Sequence, residues 1–509
     1  MSRTRVLAVV VSGLIAAAGV VSSAVPSAAA SGDLKADLDA ILQDGRLTGA
    51  TVDLLVRDAA TGKVLYDHGS DTAVTPASNN KIQTSTAAFG ILGPGYRFRT
   101  AVYAKGGNLY LKGTGDPTMR AADYDGLAAA VAAKGIKAVK GDLIADDTWF
   151  DAQRTGPDWD PSDFPFSYAA QVSALTISPD DVFDAGSIDV NVTPAAQGEP
   201  VNVRLTPATD VVKIDNRAVT GAPGSASTLS VTRANGSNTI VVSGSHPAGA
   251  DAVDELRSVE NPTLYAADVF RRALKTHGVK VSGTTERGRT PAGAKGVTAR
   301  SSMPLSQLAT PFLKLSNNII AEILVKSIGR QRTGTGSWDA GLPQVVRYLK
   351  TVGVDTGQVR MTDGSGLSHT NHTTAHQLGN VLKAVQTKSW FPAWYQALPI
   401  AGEPDPLVGG TLASRMTNTP AAGNVHAKTG TLTGATALSG YVTDPRGTKL
   451  IFSSVFNDYS GAAPKDLEDR IAIRLASGSE ERSESGSATT LSRLLPQGGQ
   501  LECSWTGSC

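Results

Sequence analysis

Apolar residues change their period several times along the chain, and the changes divide it. Leu34, Leu38, Ile41 and Leu42 recur at helical spacing and predict a helix over 31–50. Alternation over Thr51–Val56 and Val64–Asp67, around turn residues 58–62, predicts a hairpin. A helix-compatible stretch follows from Ser78 to Phe89, bounded by Gly90 and by Gly93-Pro94-Gly95. From about 98 to 297 the texture is different. Short β-like runs at 99–103, 109–112, 188–192, 201–205, 229–232 and 239–242 are separated by turn-rich segments. Helical periods at 124–133 and 264–277 interrupt them. After Pro304 helical patterns return at 305–315, 319–328, 342–352 and 374–386. Three strand-like runs, 427–432, 437–442 and 450–456, precede a last helix at 464–475. Beyond Ser477 the chain turns to Ser, Gly and Glu, which predicts a disordered tail over 479–509.

The pattern predicts an α/β (α+β) catalytic domain in two pieces, 31–97 and 298–478. A β-rich insertion occupies 98–297. With 509 residues, more than one core is expected. The N-terminus adds a targeting signal. Arg3 and Arg5 precede the apolar run from Val6 to Val21, and Ala28-Ala29-Ala30 offers small residues for cleavage before Ser31. Residues 1–30 are therefore read as a signal peptide. The mature chain is expected to be exported, secreted or held at the cell wall or membrane surface, with no integral span. A formal net charge of +1 gives no field that would recruit nucleic acid. The only cysteines, Cys503 and Cys509, lie in the tail. They form either a small terminal disulfide or adventitious thiols, and they exclude a cysteine nucleophile and a cysteine-based zinc site.

Three short motifs carry candidate chemistry. Ser78 and Lys81 form S-x-x-K at a predicted helix start, on one helical face. An amine can act as base toward a serine hydroxyl when desolvation or positive neighbours lower its pKa. A helix N-terminus can also help hold an oxyanion. Chance alone supplies about one or two such patterns per chain. Ser316-Asn317-Asn318 is S-x-N between two predicted helices, offering a hydroxyl for proton relay and a carboxamide to hold an amide. Lys428-Thr429-Gly430, followed by Thr431, sits on a predicted strand. Its lysine and threonine hydroxyls suit a carboxylate, and its glycine lets a substrate backbone approach.

The three motifs occur in order and each in its required context. In this the chain resembles the penicillin-recognising serine acyl-enzymes. Ser316 lies 238 positions after Ser78. An insertion there is similar to the class C low-molecular-mass penicillin-binding proteins, the D-alanyl-D-alanine carboxypeptidase/endopeptidase family. The phrases 111–117 (Leu-Lys-Gly-Thr-Gly-Asp-Pro) and 363–368 (Asp-Gly-Ser-Gly-Leu-Ser) are also similar to that family's. The resemblance implies a β-lactamase/transpeptidase-like fold with two subdomains in the insertion. It implies a serine-type D-alanyl-D-alanine peptidase acting on peptidoglycan peptides, inhibited by β-lactams, without metal or cofactor. Ser78 would be the nucleophile and Lys81 its base. Ser316, supported by Lys428, would pass a proton to the leaving amine, and Asn318 would hold a substrate amide. The N–H groups of Ser78 and Thr431 would form an oxyanion hole, and Thr429 and Thr431 would grip the terminal carboxylate beside Gly430. The alternatives are a β-lactamase and a non-catalytic cell-wall-binding protein.

Other residues have weaker readings. His369, His372 and His376 lie close together, but no H-E-x-x-H is present, so they are read as loop and helix-start polarity. Asp146, Asp147, Trp149 and Phe150 are either a specificity surface or a polar turn beside packed aromatics. Gly113 and Gly115 lack the third glycine of a nucleotide site.

Overall fold

The computed structural model describes residues 33–478. The predicted signal peptide, the tail and both cysteines lie outside them. A five-stranded antiparallel sheet is assembled from both ends of the chain. Its order is His426–Leu432, Ala435–Thr443, Lys449–Asn457, Thr51–Asp58 and Val64–His68. The N-terminal hairpin joins through Thr51–Asp58, whose residues pair with Asn457 back to Leu450. One sheet face buries Leu54, Leu438, Phe452 and Phe456 with Leu38, Ile41, Leu467 and Ile471 of the first and last helices. The other face buries Ala437, Ile451 and Val455 against a helical layer. That layer includes Asn80–Ile91, Leu305–Lys314, Asn318–Thr333, Trp338–Thr351 and Ala375–Val385.

The insertion has its own core. A mixed five-stranded sheet runs Thr285–Arg287, Leu143–Asp146, Asn108–Gly113, Arg99–Lys105, Lys295–Ser301. Val102, Leu111 and Leu143 pack with Tyr124 and Phe270 of its two helices, Ala121–Ala133 and Pro262–Thr276. Smaller sheets occupy the region from Ser187 to Ser258.

The structure changes two expectations. The first helix is only Leu34–Ile41, and Asp44 then caps a 3-10 turn at Gly45–Leu47. Lys295–Ser301 pairs with Arg99–Lys105, so the insertion runs on to Ser301 rather than stopping at 297. The insertion also packs against the catalytic core. Phe150, Trp159, Val172 and Phe183 pack among residues of the helical layer. Within 149–185 the carbonyls of Tyr168 and Phe183 accept from Asn318 and Asn317, so this segment borders the candidate site.

Candidate active site

Ala77 has φ 47°, a left-handed conformation costing a non-glycine residue about 1 kcal/mol. It kinks the chain so that Ser78 lies in a 3-10 turn, Ala77–Asn79, that runs into the Asn80–Ile91 helix. The predicted helix thus begins two residues late. It also continues through Gly90, where a Cβ would lie 1.9 Å from the Tyr348 ring. One turn after Ser78, the fully buried Lys81 places Nζ 2.8 Å from Ser78 Oγ. The same Nζ donates to Asn318 Oδ1 (2.7 Å) and to the Ser365 carbonyl (2.8 Å). A buried amine is costly unless hydrogen-bonded, and these acceptors offset that cost.

Ser316 also has a left-handed backbone, φ 57°, which turns the chain between two helices. Asn317 caps the second: its Oδ1 accepts from Ile320 N at 3.0 Å. Asn318 is the first residue of that helix, Asn318–Thr333, rather than part of the turn. Ser316 Oγ accepts from Lys428 Nζ at 2.8 Å, and Lys428 also donates to the Thr429 carbonyl (2.8 Å). One S-x-N turn therefore serves both lysines: Ser316 meets Lys428, and Asn318 meets Lys81. The insertion supports this turn, because Asn317 Nδ2 donates to Phe183 O (3.1 Å) and Asn318 Nδ2 to Tyr168 O (3.0 Å).

Lys428, Thr429, Gly430 and Thr431 lie on His426–Leu432, an edge strand of the sheet. Ala427 N–H leaves the sheet to reach Pro399 O (3.0 Å). By the pleat, the N–H groups of Thr429 and Thr431 point toward the same outer edge. A Cβ on Gly430 would lie 3.1 Å from Ser78 N, so this strand passes directly beside the nucleophile turn. Thr429 Oγ1 shares a 2.6 Å hydrogen bond with Thr411 Oγ1. With its amide nitrogen toward the strand, Asn79 donates to Lys428 O at 2.7 Å and accepts from Ser439 Oγ at 2.8 Å.

The 363–368 phrase that carries part of the resemblance supports the site, and so does Glu322, which no sequence motif marks. The Asp363-Gly364-Ser365-Gly366 phrase is a loop whose first three carbonyls each meet the Asn80–Ile91 helix. Asp363 O accepts from Asn80 Nδ2 (2.9 Å), Gly364 O from Thr84 Oγ1 (2.7 Å) and Ser365 O from Lys81. Asp363 holds the far side, accepting from Gly366 N, Ser368 N, Asn371 Nδ2 and, from the insertion, Trp159 Nε1. Glu322 accepts from Gly364 N and Ser365 N and is fully buried; burial, with the Asp363 charge added, raises its carboxyl above the usual carboxylate range, while the N–H donors pull it back down. The sequence signal was its place one helical turn after Asn318.

The remaining candidates lie elsewhere. His376 pairs with Asp71 (2.7 Å), and His372 bridges to Arg360 through its backbone. Among the described residues no group of three His, Cys, Asp or Glu side chains is placed to hold a metal. Asp146 caps Thr148 and accepts from Thr290 N, while Asp147 accepts from Thr263 Oγ1 and pairs with Arg154. Phe150 belongs to the core. These acidic residues are thus a polar knot rather than an open surface.

The structure thus brings Ser78, Lys81, Ser316, Asn318 and Lys428 together beside the His426–Leu432 edge strand, the arrangement expected of a serine acyl-transfer site. The chain matches the model of the D-Ala-D-Ala carboxypeptidase 3 (S13) family over residues 34–477, and it belongs to that family. A D-alanyl-D-alanine carboxypeptidase of Actinomadura sp. is 46% identical over 488 residues, covering 94% of this chain and 90% of the relative. The D-alanyl-D-alanine carboxypeptidase DacB of Haemophilus influenzae is 27% identical over 434 residues, covering 83% and 88%. The crystal structure of penicillin binding protein 4 (dacB) from Haemophilus influenzae shares the fold. Its TM-score is 0.74 at 24% identity, over 86% of this chain and 98% of that one. A structure of the same protein complexed with a β-lactam gives a TM-score of 0.68.

Proposed function

We propose that this chain hydrolyses the D-alanyl-D-alanine bond of peptidoglycan stem peptides through an acyl-enzyme on Ser78, and that β-lactams acylate the same serine. The observation that carries the reading is the 2.8 Å contact between Ser78 Oγ and the buried Lys81 Nζ. A neutral amine has two hydrogens and one lone pair. In its neutral form Lys81 can donate to Asn318 Oδ1 and Ser365 O, which only accept, while its lone pair takes the Ser78 proton. Ser78 Oγ attacks the carbonyl carbon between the two D-alanines, and its proton passes to Lys81. The N–H groups of Ser78 and Thr431 receive the developing oxyanion. The C–N bond breaks, and the leaving amine takes a proton by way of Ser316, held by Lys428. Thr429 and Thr431 hold the terminal carboxylate at the strand edge. Water then cleaves the ester, restoring Ser78 and releasing the shortened peptide.

Labelling with fluorescent penicillin tests the nucleophile. The wild type is expected to label and Ser78→Ala to remain dark; equal labelling of both, or of neither, contradicts the assignment. The same residue set would serve endopeptidase cleavage of cross-links, which mass spectrometry of peptidoglycan digests separates from D-alanine release. Export rests on residues 1–30: the mature chain is expected to begin at Ser31, and N-terminal sequencing of secreted protein checks it.

A further inference from the structure

The Asn318–Thr333 helix carries Asn318, Glu322, Lys326 and Arg330 at four-residue spacing, so the four share one face. Each makes a different tertiary contact. Asn318 meets Lys81. Lys326 Nζ lies 3.7 Å from the Trp338 ring centroid and pairs with Asp151 of the insertion. Arg330 stacks 4.4 Å above the Trp149 ring. Between them, Glu322 gathers three N–H donors into one buried carboxylate. Oε1 accepts from Ser365 N (2.7 Å), and Oε2 accepts from Gly364 N (2.8 Å) and Trp338 Nε1 (2.7 Å).

We propose that Glu322 is a positioning residue for Lys81, acting by fixing the Gly364–Ser365 backbone so that the Ser365 carbonyl holds the Lys81 amine. The proposal rests on the reading of Lys81 as the base. The Ser365 carbonyl accepts from Lys81 Nζ at 2.8 Å and so helps to orient that amine. The loop residue bearing it is held through its own N–H by Glu322 alone among the bonds described above. No Gln orientation satisfies all three donors, because its NH2 must face either Ser365 N–H or the Gly364 and Trp338 pair. Glu322→Gln keeps the shape and frees the loop. Loosened by a fraction of an ångström, the loop would orient the amine less well without touching the surface where ligand first binds.

The test is stopped-flow acylation by benzylpenicillin, separating the pre-covalent dissociation constant from the acylation rate, with active-site titration to count folded enzyme. Glu322→Gln is expected to slow acylation about tenfold to a hundredfold with the dissociation constant within about twofold. Trp338→Phe removes one bond of the same carboxylate but neither loop bond, and is expected to stay within about threefold of wild type. The proposal fails if Glu322→Gln acylates at the wild-type rate, if its loss falls on binding, or if Trp338→Phe slows acylation equally. Should Glu322→Gln not fold, Thr84→Val carries the test by removing the hydroxyl that holds Gly364 O. A drop of about fivefold in acylation rate supports the proposal and an unchanged rate overturns it. Lys81→Met separates the two readings: if it acylates normally, the base assignment falls, whatever Glu322→Gln does.

Discussion

A methyl group at position 366 would enter occupied space. Gly366 has φ +87°, and a Cβ built there lies 1.9 Å from Ala77 O, 2.5 Å from Ala77 C and 3.0 Å from Asn80 Cβ. The first two atoms are backbone and immediately precede Ser78. Real Cβ contacts essentially stop at 3.0 Å, so relief requires a backbone shift of about 1 Å. The left-handed backbone costs alanine about 1 kcal/mol, and overpacking adds about 1–3 kcal/mol. Gly366→Ala is therefore expected to lose about 2–4 kcal/mol of stability. A 1 Å misplacement of the nucleophile turn is expected to slow acylation about a hundredfold. Gly430→Ala is the graded comparison. Its Cβ would meet Pro76 O at 2.9 Å and Ser78 N at 3.1 Å, in a backbone region alanine tolerates. A shift of tenths of an ångström suffices, so stability should fall by no more than about 1 kcal/mol. Urea denaturation and stopped-flow acylation with a fluorescent penicillin measure both effects. Near wild-type acylation and stability in Gly366→Ala would refute the packing of the 363–368 loop against the nucleophile turn.

Asn79→Ala removes the fully buried amide between the nucleophile turn and Lys428 O. It is expected to cost about 2 kcal/mol in denaturation and to slow acylation, because the strand carrying Lys428 loses its tie to Ser78. Lys326→Met leaves Asp151 unpaired, but that side chain is 31% exposed and can hydrate. The expected loss is about 2–3 kcal/mol, smaller than for a fully buried pair, and a neutral result would contradict the role of Lys326 in docking the insertion. Burial, reinforced by the Lys314 charge, pushes the His426 imidazole down to about 4 from 6.5. Above pH 6.5 both folded and unfolded states are neutral there; as pH falls toward 4 only the unfolded state takes the proton, so stability is lost across that window. The stability difference between wild type and His426→Gln should shrink by about 2–3 kcal/mol from pH 7 to pH 4, and a pH-independent difference would contradict it.

Elements with clear periods were legible in the sequence. Ser187–Thr193 alternates between buried and part-buried positions, and the three C-terminal strands and most helices fell within a few residues of their observed ends. Leu143–Asp146 is not marked by the pattern because it is only 4 residues long and, being buried throughout, shows no alternation to make up for its shortness. The first helix is shorter than the 31–50 stretch because Asp44 starts a new cap that composition alone does not distinguish from helix. Nor did local pattern reveal that residues 149–185 enter the catalytic core; Trp159 and Phe183 are placed there by tertiary packing. The candidate site divides in the same way. Ser78, Lys81, Ser316, Asn318 and Lys428 are side-chain chemistry at readable spacings, and the structure brings them together. Ser365 contributes a carbonyl, which any residue could supply, and Glu322 acts through backbone amides 42 and 43 positions away.

The central claim is that Ser78 carries the acyl group in D-alanyl-D-alanine hydrolysis. Its most direct measurement is D-alanine release from a stem peptide ending in D-alanyl-D-alanine, by wild type and Ser78→Ala, with the penicilloyl adduct mapped by peptide mass spectrometry. Release is expected from wild type alone, abolished by benzylpenicillin, with the adduct on the peptide containing Ser78. Release by Ser78→Ala, an adduct elsewhere, or rapid penicillin turnover with the peptide left intact would contradict it.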